Sequence, residues 1–367
     1  MKTIAAVVAE KGAPFSLEEV ELDEPRADEV IVRMVATGLC HTDLSVRAQY
    51  IPFPLPGVLG HEGAGIVEAV GSDVRRVAPG DHVLATFSSC GHCAHCTSGK
   101  PAYCHTFIPD NLIGGTRRDG SRTIRWKGQE INGHFFGQST LARHALIDER
   151  SLVKVDPSAS LKTLAPLGCG IQTGLGAVLN TLKPEPGSTV VVFGAGGVGL
   201  AAVMGAVLTG ATSIVAVDLV ASRLELAREL GATDVIDASK VDAVDAIRDM
   251  TGGLGVPYTL ECTGVIDVVS QAVDVLAPLG TCALIGAPPA GSTLPVNVQY
   301  MLDGRSIVGV TEGSSDPEVF ITAMVRLHET GRLPLEKMIR HYPFEEIERA
   351  AADAHSGDTI KPVLVFD

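Results

Sequence analysis

Apolar and polar positions follow two different rhythms along this chain. Through the first third, β-branched residues alternate with charge, glycine and proline, as in EVIVRMVATG (29–38) and GAGIVEAVGSDVRRVAPGDHVLA (63–85). That pattern predicts short strands joined by Gly-Pro turns, and it does not support long amphipathic helices. Near residue 171 the rhythm changes to apolar strands alternating with helical patterns: TVVVFGAG (189–196), GLAAVMGAVLTG (199–210), SIVAVD (213–218) and ASRLELARELG (221–231). TDVID, VDAVDAIRDMTGG, PYTLECTG, DVVSQAVDVLAPLG and TCALIGA continue the series. Repeated βα units with short turns predict a parallel sheet with helices on both faces. After residue 311 come two helical patterns, PEVFITAMVRLHETG and PFEEIERAAADAHSG, and a closing strand, KPVLVF. A terminal strand has to join a sheet, so the tail is expected to return to the first domain.

The fold class is therefore α/β: a doubly wound parallel-sheet domain over 171–311, and a mainly β domain built from 1–170 and 312–367. A length of 367 residues suits two domains. One stretch imitates a membrane span, since Val190–Leu208 carries no charge. Gly194, Gly196, Gly197 and Gly199 fall inside it, and a strand, turn and helix account for them better.

Composition narrows the function. With 46% hydrophobic and 20% charged residues the chain forms a packed core. A net charge of −14 opposes nucleic-acid binding, which needs a basic face, and serves solubility. The opening MKTIAAVVAEKG lacks the long apolar core and cleavage site of a signal peptide, so a cytoplasmic chain with reduced thiols is expected. Clustered cysteines there point to metal.

GAGGVG (194–199) follows a strand and opens a helix, and the next strand ends in Asp218. Gly194, Gly196, Gly197, Val198 and Gly199 would let the backbone approach a pyrophosphate at the helix N-terminus. Asp218 would accept hydrogen bonds from the adenosine ribose and repel a 2′-phosphate, favouring NAD over NADP. Arg223 could tune that preference.

Cys90, Cys93, Cys96 and Cys104 have the spacing C-x2-C-x2-C-x7-C. Four thiolates close a tetrahedron around zinc and leave no position for substrate, so this site is structural. The final gap and the following His105 do not match the bacterial iron–sulfur spacing. His92, His95 and His105 are read as exposed loop residues. Cys40 lies in GLCHTDL, His61 in LGHEGAG and Cys169 in PLGCGIQTG, and their spacing alone does not bring them together. Cys262 and Cys282 are read as core.

At this point the residues resemble a family. GHEGAGIVEAVGSDV (60–74) fits the zinc alcohol dehydrogenase pattern G-H-E-x2-G-x5-G-x2-V, and CHTD, the quartet, GCGIQTG and GAGGVG follow in family order. The resemblance spans nearly the whole chain, as in the medium-chain dehydrogenase/reductases, whose catalytic domain is GroES-like and whose cofactor domain is a Rossmann fold. HFFGQST, PLGCGIQTG and HSGDTIKPVLVF look most like NAD-dependent aryl-alcohol (benzyl alcohol) dehydrogenases.

The resemblance implies two zinc ions per chain. Cys40, His61 and Cys169 would bind the catalytic one, with Glu62 as a neighbouring group or occasional fourth ligand, in a cleft between the domains. Asp43 would orient the imidazole, Thr42 would hydrogen-bond the substrate oxygen, His41 and Lys361 would face the cofactor pyrophosphate, and Thr173 and Val198 would flank the nicotinamide. The implied reaction is reversible oxidation of a primary alcohol, aromatic by resemblance, to its aldehyde with hydride transfer to NAD. Allylic terpenoid alcohols such as geraniol and aliphatic alcohols are alternatives. A non-catalytic zinc-stabilised NAD-binding protein is a remote one, because it has no use for Cys40, Thr42, His61 and Cys169 together. Ser45 stands where some relatives carry the histidine that ends a proton relay. Phe87 is a candidate pocket wall or core residue, and Trp126 a surface or interface residue. Relatives also imply a homo-oligomer, dimer or tetramer.

Overall fold

The computed structural model describes residues 1–367 and divides them into two compact units. The first comprises Met1–Cys169, Asp316–Gly331 and Leu335–Asp367; the second comprises Gly170–Ser315 and Arg332–Pro334.

The first unit contains two sheets. In the five-stranded one the order is Gly57–Val58, Lys2–Val8, Ser16–Leu22, Ile124–Trp126, Gln129–Ile131. In the other the order is Leu152–Val155, His82–Ala85, Gly63–Val70, Glu29–Gly38, Lys361–Val365, Ile339–Pro343, and His144–Asp148 also pairs with Glu29–Gly38. Strand Glu29–Gly38 is the axis of this sheet, and eight of its ten residues are buried. A strand with partners on both edges and so little solvent contact reads as a near-continuous apolar run. The C-terminal strand docks antiparallel on it, with Val363 opposite Gly38 and Val365 opposite Ala36. Phe135, Phe344, Met34, Leu59, Leu84, Ile131 and Leu141 are among the largest fully buried side chains. Trp126 is half-buried; its indole N–H donates to Glu18 at 3.1 Å and Lys127 lies over the ring.

The second unit is a six-stranded, all-parallel sheet in the order Asp234–Asp237, Ser213–Asp218, Thr189–Phe193, Val256–Glu261, Leu276–Leu284, Ser306–Gly309. Helices Gly197–Thr209, Ala221–Glu229, Ala243–Met250 and Ile266–Asp274 connect successive strands. The strand order reverses beside Thr189–Phe193, the switch point at which open α/β sheets bind ligands.

Two sequence boundaries shift. DVVSQAVDVLAPLG reads as one helical pattern, yet the helix stops at Asp274 and LAPLG already belongs to strand Leu276–Leu284. The return to the first unit falls at Asp316 because Glu312–Ser315 is tied down within the second. There Ser315 Oγ donates to Gln172 at 2.9 Å, Asn180 donates to the Gly313 carbonyl at 2.9 Å, and Thr181 and Ser314 share a hydrogen bond. The uncharged run Val190–Leu208 divides between strand Thr189–Phe193 and helix Gly197–Thr209, and no helix is long and apolar enough to cross a membrane.

Candidate active site

Strand Glu29–Gly38 delivers Cys40 to the N-terminus of the short helix His41–Arg47. Asp43, in the first turn, is fully buried. One of its oxygens accepts the Cys40 amide at 2.9 Å; the other accepts the Gly60 amide at 2.9 Å and lies 3.1 Å from His61 Nδ1. With Nδ1–H given to Asp43, the lone pair of His61 sits on Nε2, which is buried and has no hydrogen-bond partner. Cys169 follows the turn Ala165–Gly168, whose last carbonyl accepts from Thr86 Oγ at 2.8 Å. The potential ligand atoms of Cys40, His61, Glu62 and Cys169 all lie within 4.8 Å of one another.

The electrostatics of this cluster are those of a cation site. A hydrogen bond with Cys169, reinforced by the charges of Lys361 and His61, outweighs burial and draws the Cys40 thiol well below its ordinary value. Burial disfavours a charged His61, but Asp43 and Cys40 outweigh it and lift the imidazole well above its ordinary value. The field that would hold a proton there also favours a dication. Two thiols, an imidazole whose buried nitrogen lacks a partner, and a dry carboxylate are a donor set that fits Zn²⁺.

Glu62 and Lys361 form a second buried pair, Nζ lying 2.9 and 3.0 Å from the two carboxylate oxygens. Burial raises the Glu62 carboxyl, with Lys361 opposing. Gly38 makes room for this carboxylate, since a Cβ there would lie 2.0 Å from Glu62 Oε2. Lys361, which the resemblance places facing the pyrophosphate, is buried here with its charge paired to Glu62. His41 is exposed, and the Thr42 hydroxyl lies 3.6 Å from Cys40 Sγ. Ser45 is half-buried.

The quartet is a separate cluster whose four sulfurs also lie within 4.8 Å of one another. All four thiols are free, and Cys93 and Cys96 are 3.5 Å apart, far beyond a disulfide bond. The amides of Cys90 and Cys93 donate to Cys104 Sγ and Cys90 Sγ, each at 3.3 Å. Backbone hydrogen bonds from Cys96 and His105 draw Cys93 down to about 5, while burial drives Cys96 up to about 12. Four thiolates need a dication to share this volume, and the set fits a structural zinc. His92 binds the Cys90 carbonyl at 2.8 Å and His95 packs edge-on against His105, so none of the three joins the sulfurs. Cys282 is buried in the core of the second unit; Cys262, at the end of a strand there, is half-buried, and its thiol is pushed well up by burial.

In the second unit, a Cβ on Gly199 would lie 1.7 Å from the Gly194 carbonyl oxygen, so the helix start packs directly on the strand end. The space beside Gly196 is open to a ligand. Asp218 accepts the Ala195 amide at 2.7 Å and the Val220 amide at 2.9 Å. Arg223 stands 4.0 Å from the same carboxylate, and its buried Nε has no partner. Thr173 is buried in helix Gly170–Gly176, and Gly197 and Val198 open helix Gly197–Thr209. The loop has the shape and open amides that fit a dinucleotide pyrophosphate.

Residue-level reading of the sequence missed the aromatic wall around His61. Phe136 stacks on the imidazole at 4.5 Å and 21°, and Phe135 meets it edge-on at 5.3 Å. Phe107 touches Phe136, Phe87 touches Phe107, and Phe53 touches Phe135, so Phe87 is a core residue linked to this cluster through Phe107. Gln138 Nε2 donates to the carbonyls of His61 and Thr86 at 3.1 and 2.9 Å. The adjacent phenylalanines in HFFGQST were the one available signal.

The zinc-binding dehydrogenase family profile matches residues 197–329, and the alcohol dehydrogenase GroES-like domain profile matches 26–157. The geraniol dehydrogenase of Castellaniella defragrans is 42% identical over 364 residues, covering 99% of this chain and 97% of that protein. The crystal structure of benzyl alcohol dehydrogenase from Acinetobacter calcoaceticus superposes with a TM-score of 0.96 at 46% identity, covering 100% of both chains. That of an alcohol dehydrogenase zinc-binding domain protein from Burkholderia ambifaria gives 0.97 at 51% identity, covering 100% of this chain and 99% of the other.

The two clusters are expected to separate on mutation. Cys93→Ala should lose about one zinc per chain and lower Tm by more than about 5 °C, the effect of a lost structural metal. Cys40→Ala should also lose about one zinc but keep its fold and lose turnover. Elemental analysis with calorimetry checks both; two zinc ions retained by Cys40→Ala would remove Cys40 from the ligand set.

Proposed function

The chain belongs to the zinc-dependent medium-chain alcohol dehydrogenases, and we infer that it oxidises a primary benzyl-type alcohol reversibly to the aldehyde, with NAD as hydride acceptor. The observation that carries the aromatic choice is the pair Phe135 and Phe136 on the His61 ring, backed by the buried rings of Phe53, Phe87 and Phe107. Flat apolar side chains next to the reacting centre favour flat apolar substrates. The likeness to a benzyl alcohol dehydrogenase supports it, whereas the geraniol dehydrogenase relative favours an allylic terpenoid as the second reading. Both alcohols carry a π system beside the carbinol carbon, and conjugation stabilises the carbonyl forming there.

Cys40, His61 and Cys169 would hold the catalytic zinc, with Glu62 in reserve behind them. Zinc supplies Lewis acidity that favours loss of the alcohol proton, and the nicotinamide supplies the hydride acceptor. This chain's residues do the rest. Asp43 keeps His61 in the tautomer that presents Nε2. Lys361 balances the charge of Glu62. Thr42 is assigned to hydrogen-bond the substrate hydroxyl and, as it takes that proton, to release its own through the cofactor ribose, its Oγ lying beside Cys40. Ser45 offers no imidazole, so that proton reaches water without a basic side chain at this position.

The amides of Gly197, Val198 and Gly199 at the start of a 13-residue helix are assigned to the pyrophosphate, with exposed His41 as a further hydrogen-bond donor. Asp218 is assigned to the adenosine ribose, Arg223 to tuning that contact, and Thr173 and Val198 to the nicotinamide. The sheet-edge strand Ser306–Gly309 follows exposed Val298 and Leu302, which supports assembly as a homo-oligomer. A cytoplasmic setting, where thiols stay reduced, suits its eight cysteines.

In a panel of benzylic, allylic and aliphatic alcohols, benzyl alcohol should exceed ethanol in kcat/KM by at least about tenfold, one apolar contact's worth of discrimination or more. Geraniol ahead of benzyl alcohol would shift the reading to the terpenoid, and no reduction of NAD by any of them from zinc-loaded protein would sink it. NADP outperforming NAD would overturn the role given to Asp218. Thr42→Ala should cost about 100-fold or more in kcat with zinc content unchanged, as for a lost proton-transfer group. Wild-type turnover in that variant would remove Thr42 from the mechanism.

A further inference from the structure

One turn of the first unit is held in a backbone conformation that its residues resist. Phe136 has φ 53° and ψ 29°, and Ser139 has φ 51°. Bulky side chains rarely adopt this left-handed region, and such residues persist where their surroundings over-determine them. Here the surroundings are a set of hydrogen bonds to the segment that carries His61. Ser139 Oγ accepts the Phe135 amide at 2.9 Å and donates to the Val58 carbonyl at 2.6 Å. The amides of Thr140 and Leu141 donate to Gly60 and Leu59, and Gln138 holds the His61 carbonyl.

What the strained turn secures is a ring on a ring. Phe136 lies nearly parallel to the His61 imidazole, centroids 4.5 Å apart. Asp43 restrains the imidazole through Nδ1, but the ring hinges on its Cβ–Cγ bond, and small coupled changes of the side-chain torsions tilt it while that one hydrogen bond is kept. Nε2 does not lie on the Nδ1 bond axis, so any tilt swings its lone pair. A flat ring packed on the face removes that freedom, and Phe135, edge-on at 5.3 Å, limits sliding.

The geometry points to Phe136 as a positioning residue for the catalytic metal: it sets the tilt of His61 and so the direction of the Nε2 lone pair. This rests on His61 being a ligand. Strain in the backbone is then the means by which the turn presents a ring face where an unstrained residue would turn it away.

The test uses the full chain with cobalt(II) in place of zinc, the Cys40→Ala spectrum being subtracted to isolate the active-site ion. If that difference spectrum lacks tetrahedral cobalt bands in the wild type, the ligand reading itself fails. Given those bands, Phe136→Leu should shift them and should release its active-site zinc to a chelator at least about tenfold faster, the usual scale for a lost ligand support. Phe136→Tyr, which keeps the ring, should match the wild type in both. Phe107→Leu removes a buried ring that packs on Phe136 and has no stacking contact with His61, and it should leave both unchanged. Should Phe136→Leu not fold, Phe136→Asn, a residue at ease with positive φ, carries the same expectation. Wild-type bands and release rates in the ring-less variant, an equal shift in Phe107→Leu, or no rescue by Phe136→Tyr would overturn the proposal.

Discussion

Asp43 has no contact with solvent, yet its two oxygens are shared among three donors from two separate stretches of chain: the Cys40 amide, the Gly60 amide and the His61 ring. An ionised carboxylate in a dry interior is costly unless each oxygen is occupied. That cost is what couples the loop after strand Glu29–Gly38 to the loop before strand Gly63–Val70. Moving either loop would strand a buried charge, so Cys40 and His61 hold their separation as a property of the fold.

Around this carboxylate the first unit balances charge in pairs. Glu62 faces the side chains of Cys40, His61 and Cys169 from one side and Lys361 neutralises it from the other, both shielded from water. The C-terminal strand supplies Lys361 two residues before Val363, which pairs with Gly38. Gly38, lacking a Cβ, leaves the volume into which the Glu62 carboxylate fits. A strand register, a glycine and an ion pair thus converge on one point, and each explains why the others are placed as they are.

Much of the architecture was legible in the sequence because it is written locally. The βα rhythm, the GAGGVG turn and the quartet each lie within a short stretch, and periodicity or spacing reads them directly. Cys40, His61 and Cys169 come from three distant stretches, and only the family resemblance brought them together before the structure did. The Lys361–Glu62 pair and the amide of Gln138 left no local trace, and the stack of Phe136 on His61 left only the paired phenylalanines of HFFGQST, because these contacts depend on tertiary register and on a positive φ at a phenylalanine. The end of the helix at Asp274 was missed for a related reason: the apolar residues after it suit a strand as well as a helix, and the neighbouring parallel strand decides.

The Glu62–Lys361 pair spans 299 residues of chain. During synthesis at roughly 5–20 residues per second, Glu62 is incorporated on the order of 15–60 s before Lys361. In that interval the whole second unit, Gly170–Ser315 with Arg332–Pro334, is synthesised, while the first still lacks the cation for its buried acid. The order of translation therefore makes the first unit the last to be completed, and strand Lys361–Val365 is the part that completes its sheet.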